Sequence, residues 1–140
     1  MPKTSSHSVR HDAVPKDRVL EAARTWAHRL RRDHQEVVRV GYFGSYARGD
    51  YVPGSDLDVL IELSGSDAPH WRDRAVRYRP DSFPVGMDVF AYTSAELAAL
   101  GAAGAAFIKT VDAEIRWLAQ TSNVLTQDSS TGCQPPGAQR

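Results

Sequence analysis

Apolar side chains recur at three- and four-residue steps through Val19, Leu20, Ala23, Trp26, Ala27 and Leu30. That spacing is one face of a helix, predicted over residues 15–32, with Asp12 or Pro15 suited to its start. The period then changes. Val37–Phe43 (VVRVGYF) is β-branched and aromatic and reads as a strand that stops at Gly44. Gly49, Asp50, Pro53, Gly54 and Ser55 make a turn-rich stretch before a second strand, Leu57–Leu63 (LDVLIEL). Residues 64–69 form a loop by composition, and 71–79, which carries Arg72, Arg74, Arg77 and Arg79, favours a helix. A third strand is predicted over 85–92 (VGMDVFAY). Thr93, followed by Glu96 three residues on, has the form of a capping box, so a helix starts there. It is expected to falter near Gly101 and Gly104 and to resume through Ala119. Phe107, Ile108, Val111, Ile115 and Leu118 give that second part an apolar stripe. Trp26 and Trp117 fall at helical core spacing and are expected to be packing residues.

Strands and helices mixed in this way predict an α/β fold, a short mixed sheet of three to five strands with helices packed on one face. The length of 140 residues suits one domain, and a hydrophobic fraction of 41% supports a modest core. Residues 12–120 are expected to hold that domain. Residues 1–11 (Ser, His and Arg) and 121–140 (Ser, Thr, Gln, Gly and Pro) are expected to be disordered.

Charge narrows the function classes. Seventeen Lys and Arg balance seventeen Asp and Glu, so the basic excess of a chain that coats nucleic acid is missing. The single cysteine, Cys133, can form neither an intrachain disulfide nor a cysteine-based zinc site. The five histidines show no paired ligand spacing. No apolar run reaches membrane-spanning length, and the N-terminus lacks the apolar core of a signal peptide. A cytoplasmic protein with no membrane partner is expected.

The chemistry concentrates in residues 41–61. Asp56 and Asp58 lie two apart at the head of a strand, which projects both carboxylates from one face. Two like charges side by side need a cation, and magnesium takes hard oxygen ligands of this kind together with substrate phosphates. Asp88 is a third carboxylate in an otherwise apolar strand; if that strand pairs beside the second, three carboxylates converge at one sheet end. Gly44-Ser45, where the first strand ends, leaves backbone N–H groups free to meet anions. A phosphate cradle beside metal carboxylates makes a site for metal-assisted phosphoryl or nucleotidyl transfer.

These residues match a known pattern. Gly44-Ser45, ten residues, then Asp56-x-Asp58 resembles the minimal nucleotidyltransferases of the DNA polymerase β superfamily. The run GSYARGDYVPGSDLDVLI is similar to that family's signature, including Arg48 and Gly49 after Gly-Ser and Ser55 before the first aspartate. The four fixed positions alone arise by chance in about one chain of this length per several hundred, so the flanking strands and the third acid make the match specific. The resemblance implies a polymerase β-like fold. It implies that Gly44 and Ser45 hold the triphosphate of an incoming nucleotide, ATP favoured, with Arg48 and Ser55 counted among the nucleotide-binding residues. Arg48 is placed either on phosphate or in an ion pair with a nearby acid. Asp56, Asp58 and Asp88 are implied as metal ligands and catalytic residues for two Mg2+ ions, with Mn2+ as a substitute. Asp88 assists the second metal or activates the acceptor hydroxyl.

Few residues remain beyond such a core to build an acceptor site, so a partner or self-association is expected. Chains similar to this one act beside a small all-helical protein of the HEPN type in toxin–antitoxin pairs. The resemblance therefore implies an antitoxin that transfers AMP to a tyrosine of its toxin. Two other readings stand beside it: nucleotidyl transfer to a small molecule such as an aminoglycoside, and a non-catalytic module that neutralises its partner by binding.

Overall fold

The computed structural model describes residues 14–120; the two termini expected to be disordered lie outside the described residues. Among the described residues nine elements follow in order: α1 (Lys16–Asp33), β1 (Val37–Phe43), α2 (Ser45–Arg48), β2 (Leu57–Leu63), α3 (Trp71–Tyr78), β3 (Met87–Thr93), α4 (Ser94–Ala102), α5 (Ala106–Glu114) and β4 (Arg116–Gln120). The strands form one sheet in the order β3-β2-β1-β4. β1 is antiparallel to both of its neighbours, whereas β2 and β3 run parallel.

Alternation along the strands decides which face each residue meets. Leu57, Val59, Ile61 and Leu63 of β2 and Met87, Val89 and Ala91 of β3 point into the larger core. There they meet the stripe of α1 together with Ala75 and Tyr78 of α3. Asp17 in the first turn of α1 and Arg31 and Arg32 in its last complement the helix dipole. The intervening residues Asp58, Leu60 and Glu62, with Asp88, Phe90 and Tyr92 of β3, face the other way. The mixed α/β class stands as expected, with one amendment: helices cover both faces. Leu97 of α4 and Phe107 and Val111 of α5 join Phe43, Leu60, Phe90 and Tyr92 in a second cluster on the opposite side. The apolar stripe of α5 requires this, because the first face is already filled by α1 and α3.

The C-terminal segment departs from expectation. The helix predicted through Ala119 ends at Glu114, and Arg116–Gln120 is a strand paired with β1. Ile115 and Trp117 join the second cluster while Leu118 and Ala119 enter the first, so the segment serves both faces. Its apolar residues fit either period, and the open edge of β1 decides for strand. Gly41 permits the pairing: a Cβ there would stand 2.8 Å from the Trp117 ring and 2.9 Å from the Arg116 carbonyl. Trp117 is thus a half-buried strand residue, with the Arg39 guanidinium 3.9 Å from its ring centre. Among the described residues no single helix is long and apolar enough to cross a membrane.

Arg74 ties the β3 side together. It is 3% exposed and donates to the carbonyls of Ala68 (2.7 Å), Pro69 (3.1 Å) and Ala91 (3.2 Å). It also makes a two-point ion pair with Glu96 at 2.6 and 2.9 Å. Glu96 completes the expected capping box: it accepts from the Thr93 N–H at 2.9 Å while Thr93 Oγ1 accepts from the Glu96 N–H at 3.1 Å. Arg74→Ala takes this donor from the buried Ala91 carbonyl and from the partly buried contacts to Ala68, Pro69 and Glu96, and should lower stability by about 3 kcal/mol in urea unfolding. Arg24→Ala, on the exposed side of α1, should change it by less than about 0.5 kcal/mol.

Candidate active site

Register brings the acids together. Phe43 of β1 is the partner of Asp58, and Asp58 is the partner of Asp88, so one row crosses three strands. β1 ends at this row, and β2 and β3 begin there. The Leu57 N–H donates to the Gly86 carbonyl at 2.9 Å, which fixes the residues just before both strands side by side. Arg116 at the start of β4 pairs with Tyr42, so the end of α5 reaches the same sheet end.

Two glycines make room for two carboxylates. Gly44 has φ +80°, a conformation side chains disfavour, and a Cβ on it would overlap Asp58 Oδ2. A Cβ on Gly86 would overlap Asp56 Oδ1. The group pressed against Gly44 is therefore the Asp58 carboxylate, and the two aspartates lean on different glycines.

Electrostatics set Asp58 apart. Burial, then the charges of Asp88 and Asp56, push its carboxyl up to about 6; Glu114 adds to this, and Arg48 only partly opposes it. No cation among the described residues closes an ion pair on it. Such a group favours a proton or a divalent ion. The donor set, three hard carboxylates at one rim, fits Mg2+ or Mn2+. As the side chains stand, no three His, Cys, Asp or Glu groups among the described residues are close enough to hold an ion. A three-carboxylate site therefore needs side-chain rotation, which Asp56 and Asp88, both exposed, are free to make.

The cradle side holds a residue that sequence reasoning passed over. Arg48 pairs with Asp50 at 3.2 Å and, through Nη1, with both oxygens of Glu114 at 3.2 and 3.1 Å. Glu114 Oε1 also accepts from the Gly44 N–H at 3.0 Å. A signal existed: an acid in the last turn of a helix opposes the dipole and calls for a reason. Ser45 stands half-buried at the start of α2. Ser55 Oγ accepts from the Val52 N–H at 2.9 Å and closes the turn before Asp56. It also lines a pocket of about 370 Å3 with Tyr46, Tyr51 and Gly86. Tyr46 is buried and stacks on Tyr51 at 4.5 Å, which anchors α2.

On the other side of the row, Asp88 opens on a pocket of about 300 Å3 walled by Trp71, Phe90, Arg72 and Arg79. The Trp71 ring stacks on Phe90 at 5.2 Å, and the Arg72 guanidinium lies 5.0 Å from its centre. From β1 to β3 the order is thus anion cradle, half-buried carboxylate, exposed carboxylate, aromatic pocket.

Comparison with known proteins supplies the family and the fold. Residues 24–93, half of the chain, match the model of the nucleotidyltransferase domain, and the chain belongs to that family. Over 45 residues it is 31% identical to a protein of Methanocaldococcus jannaschii provisionally named a protein adenylyltransferase. That alignment covers 32% of this chain and 45% of the relative, so the chain spans under half of that protein's length. Among solved structures, a provisionally assigned nucleotidyltransferase from Sulfolobus solfataricus superposes with a TM-score of 0.55 at 19% identity, over 85% of this chain and 93% of the other. A toxin–antitoxin structure with AMP-PNP gives a TM-score of 0.48 at 18% identity, over 71% and 74%. The fold is the polymerase β-like nucleotidyltransferase fold.

Asp58 predicts a trade between stability and chemistry. Its folded pKa is the higher one, so its charge opposes folding above about pH 6, and the penalty vanishes below about pH 4. Asp58→Asn should raise the melting temperature of the metal-free protein at pH 7.5 by several degrees. This corresponds to about 1 kcal/mol after allowance for solvent screening of a half-buried group. Melts at pH 3.5 should show no such gain.

Proposed function

We propose that the protein transfers a nucleoside monophosphate, AMP by preference, from a nucleoside triphosphate to a hydroxyl of a partner protein. The register of Asp58 with Asp88, flanked by Gly44-Ser45 on one side and the aromatic pocket on the other, carries this reading. Gly44 and Ser45 receive the triphosphate, and Tyr46, stacked on Tyr51, holds their turn in place. Asp56 and Asp58, with Asp88, are the residues that would hold Mg2+ or Mn2+; bound there, the metal would polarise the α-phosphate and offset the charge of the acids.

The acceptor enters along the β3 edge. In-line displacement needs the attacking oxygen opposite the leaving group, and the pocket beside Asp88 lies across Asp58 from the cradle. The acceptor oxygen forms a bond to the α-phosphorus as the bond to the bridging oxygen of the β-phosphate breaks. Pyrophosphate leaves, and the hydroxyl proton passes to the Asp88 carboxylate. Trp71 and Phe90 offer flat apolar walls to an aromatic hydroxyl such as tyrosine.

For the biological setting, the signature GSYARGDYVPGSDLDVLI favours an antitoxin that modifies a small all-helical HEPN-type toxin. The relative named for protein adenylylation supports a protein acceptor.

The test is labelled ATP with Mg2+ and the product of any adjacent gene that encodes a small helical protein. Label on that protein with release of pyrophosphate is expected. Asp88→Asn should keep Mg-ATP affinity within a few-fold while transfer falls about a hundredfold or more. Release of orthophosphate, or full transfer by the variant, would contradict the reading.

A further inference from the structure

Glu114 stands in an awkward place for a structural acid. It closes the last turn of α5, where the helix dipole disfavours negative charge, and it adds to the potential that raises Asp58. Its carboxylate is mostly buried, at 18% exposure, while the Arg48 side chain is 47% exposed. Arg48 already has a second acid, Asp50, at 3.2 Å, so charge balance at Arg48 does not require Glu114. The distinguishing contact is with the backbone: Glu114 Oε1 takes the Gly44 N–H at 3.0 Å. One carboxylate therefore spans Gly44 and Arg48, a backbone donor and a guanidinium from the run that resembles the triphosphate-holding signature. Two oxygens shared between a backbone N–H and a guanidinium reproduce what two phosphate oxygens would ask of the same donors.

We infer that Glu114 is an internal stand-in for phosphate: it fills the cradle of the nucleotide-free protein and must be displaced for a triphosphate to bind. The inference rests on the cradle assignment made above. Two consequences follow from charge. A bare polyphosphate meets a site whose donors are occupied and whose neighbours, Asp56, Asp58 and Asp88, are negative, so metal-free binding is weak. A metal-bound nucleotide brings its own positive charge and can release the carboxylate. Glu114 thus makes entry selective for the metal complex, and its side chain is the group that must swing away.

The test uses the full chain, with inorganic tripolyphosphate in EDTA as the probe and Mg-ATP as the reference, both by calorimetry. Glu114→Gln keeps size and an acceptor for the Gly44 N–H while removing the charge; Glu114→Ala removes both. Each should bind metal-free tripolyphosphate at least about tenfold more tightly than wild type, because a negative charge no longer competes. Mg-ATP binding should tighten by less, so their preference for Mg-ATP over free tripolyphosphate should shrink. Circular dichroism establishes folding, and Glu114→Gln decides alone if Glu114→Ala melts below the assay temperature. Unchanged or weaker tripolyphosphate binding by Glu114→Gln, with normal Mg-ATP binding by wild type, overturns the inference and makes Glu114 a brace for the Gly44 turn. Failure of wild type to bind Mg-ATP at all would overturn the cradle assignment itself.

Discussion

Three carboxylates at one rim of a small sheet repel one another, and the register that puts them there cannot relax. Sliding β2 or β3 by one residue would turn Leu57, Val59, Ile61 and Leu63, or Met87, Val89 and Ala91, out of the core. The parallel pairing of Asp58 with Asp88 is therefore held by burial on the opposite face of the same strands. Burial and like charge then raise the Asp58 carboxyl to about 6, and the site acquires its demand for a cation. Gly44 and Gly86 are bare because these carboxylates need the space.

A second acid on β2 shows what a structural carboxylate looks like in this fold. Glu62 lies on the same face as Asp58, four residues further along, and its side chain is 12% exposed. Arg39 closes on it at 2.6 Å and the Ser94 hydroxyl donates to it at 2.6 Å. Arg39 in turn lies over Trp117, so this cluster joins β1, β2, β4 and the start of α4. Glu62 is paired on both oxygens; Asp58 has no such partner among the described residues. The contrast separates scaffold from site more sharply than position in the strand does.

Much of this was legible in the sequence because it depends on local period and local chemistry. The α1 stripe, the three strands before residue 93 and the Thr93–Glu96 box each declare themselves within a few residues. The spacing from Gly44-Ser45 to Asp56-x-Asp58 likewise belongs to one loop and its flanking strands. What escaped was long-range. The segment 116–120 became a strand because β1 had a free edge and Gly41 admitted a close neighbour, facts that no local window contains. Glu114 escaped for the same reason, since its meaning comes from Gly44 and Arg48, about seventy residues earlier. The second helical layer followed from saturation of the first core, again a property of the whole fold.

The central claim is that the rim formed by Gly44, Asp56, Asp58 and Asp88 binds a metal–nucleotide complex. Paramagnetic broadening of backbone amide signals by Mn2+ tests it directly, with 15N-labelled protein and ATP present. The account predicts that the amides of residues 44–45, 56–58 and 86–88 broaden first. Leu63 and Thr93, at the far ends of β2 and β3, should stay sharp at the same Mn2+ level. Broadening centred on the far end of the sheet, or none that depends on ATP, would contradict it.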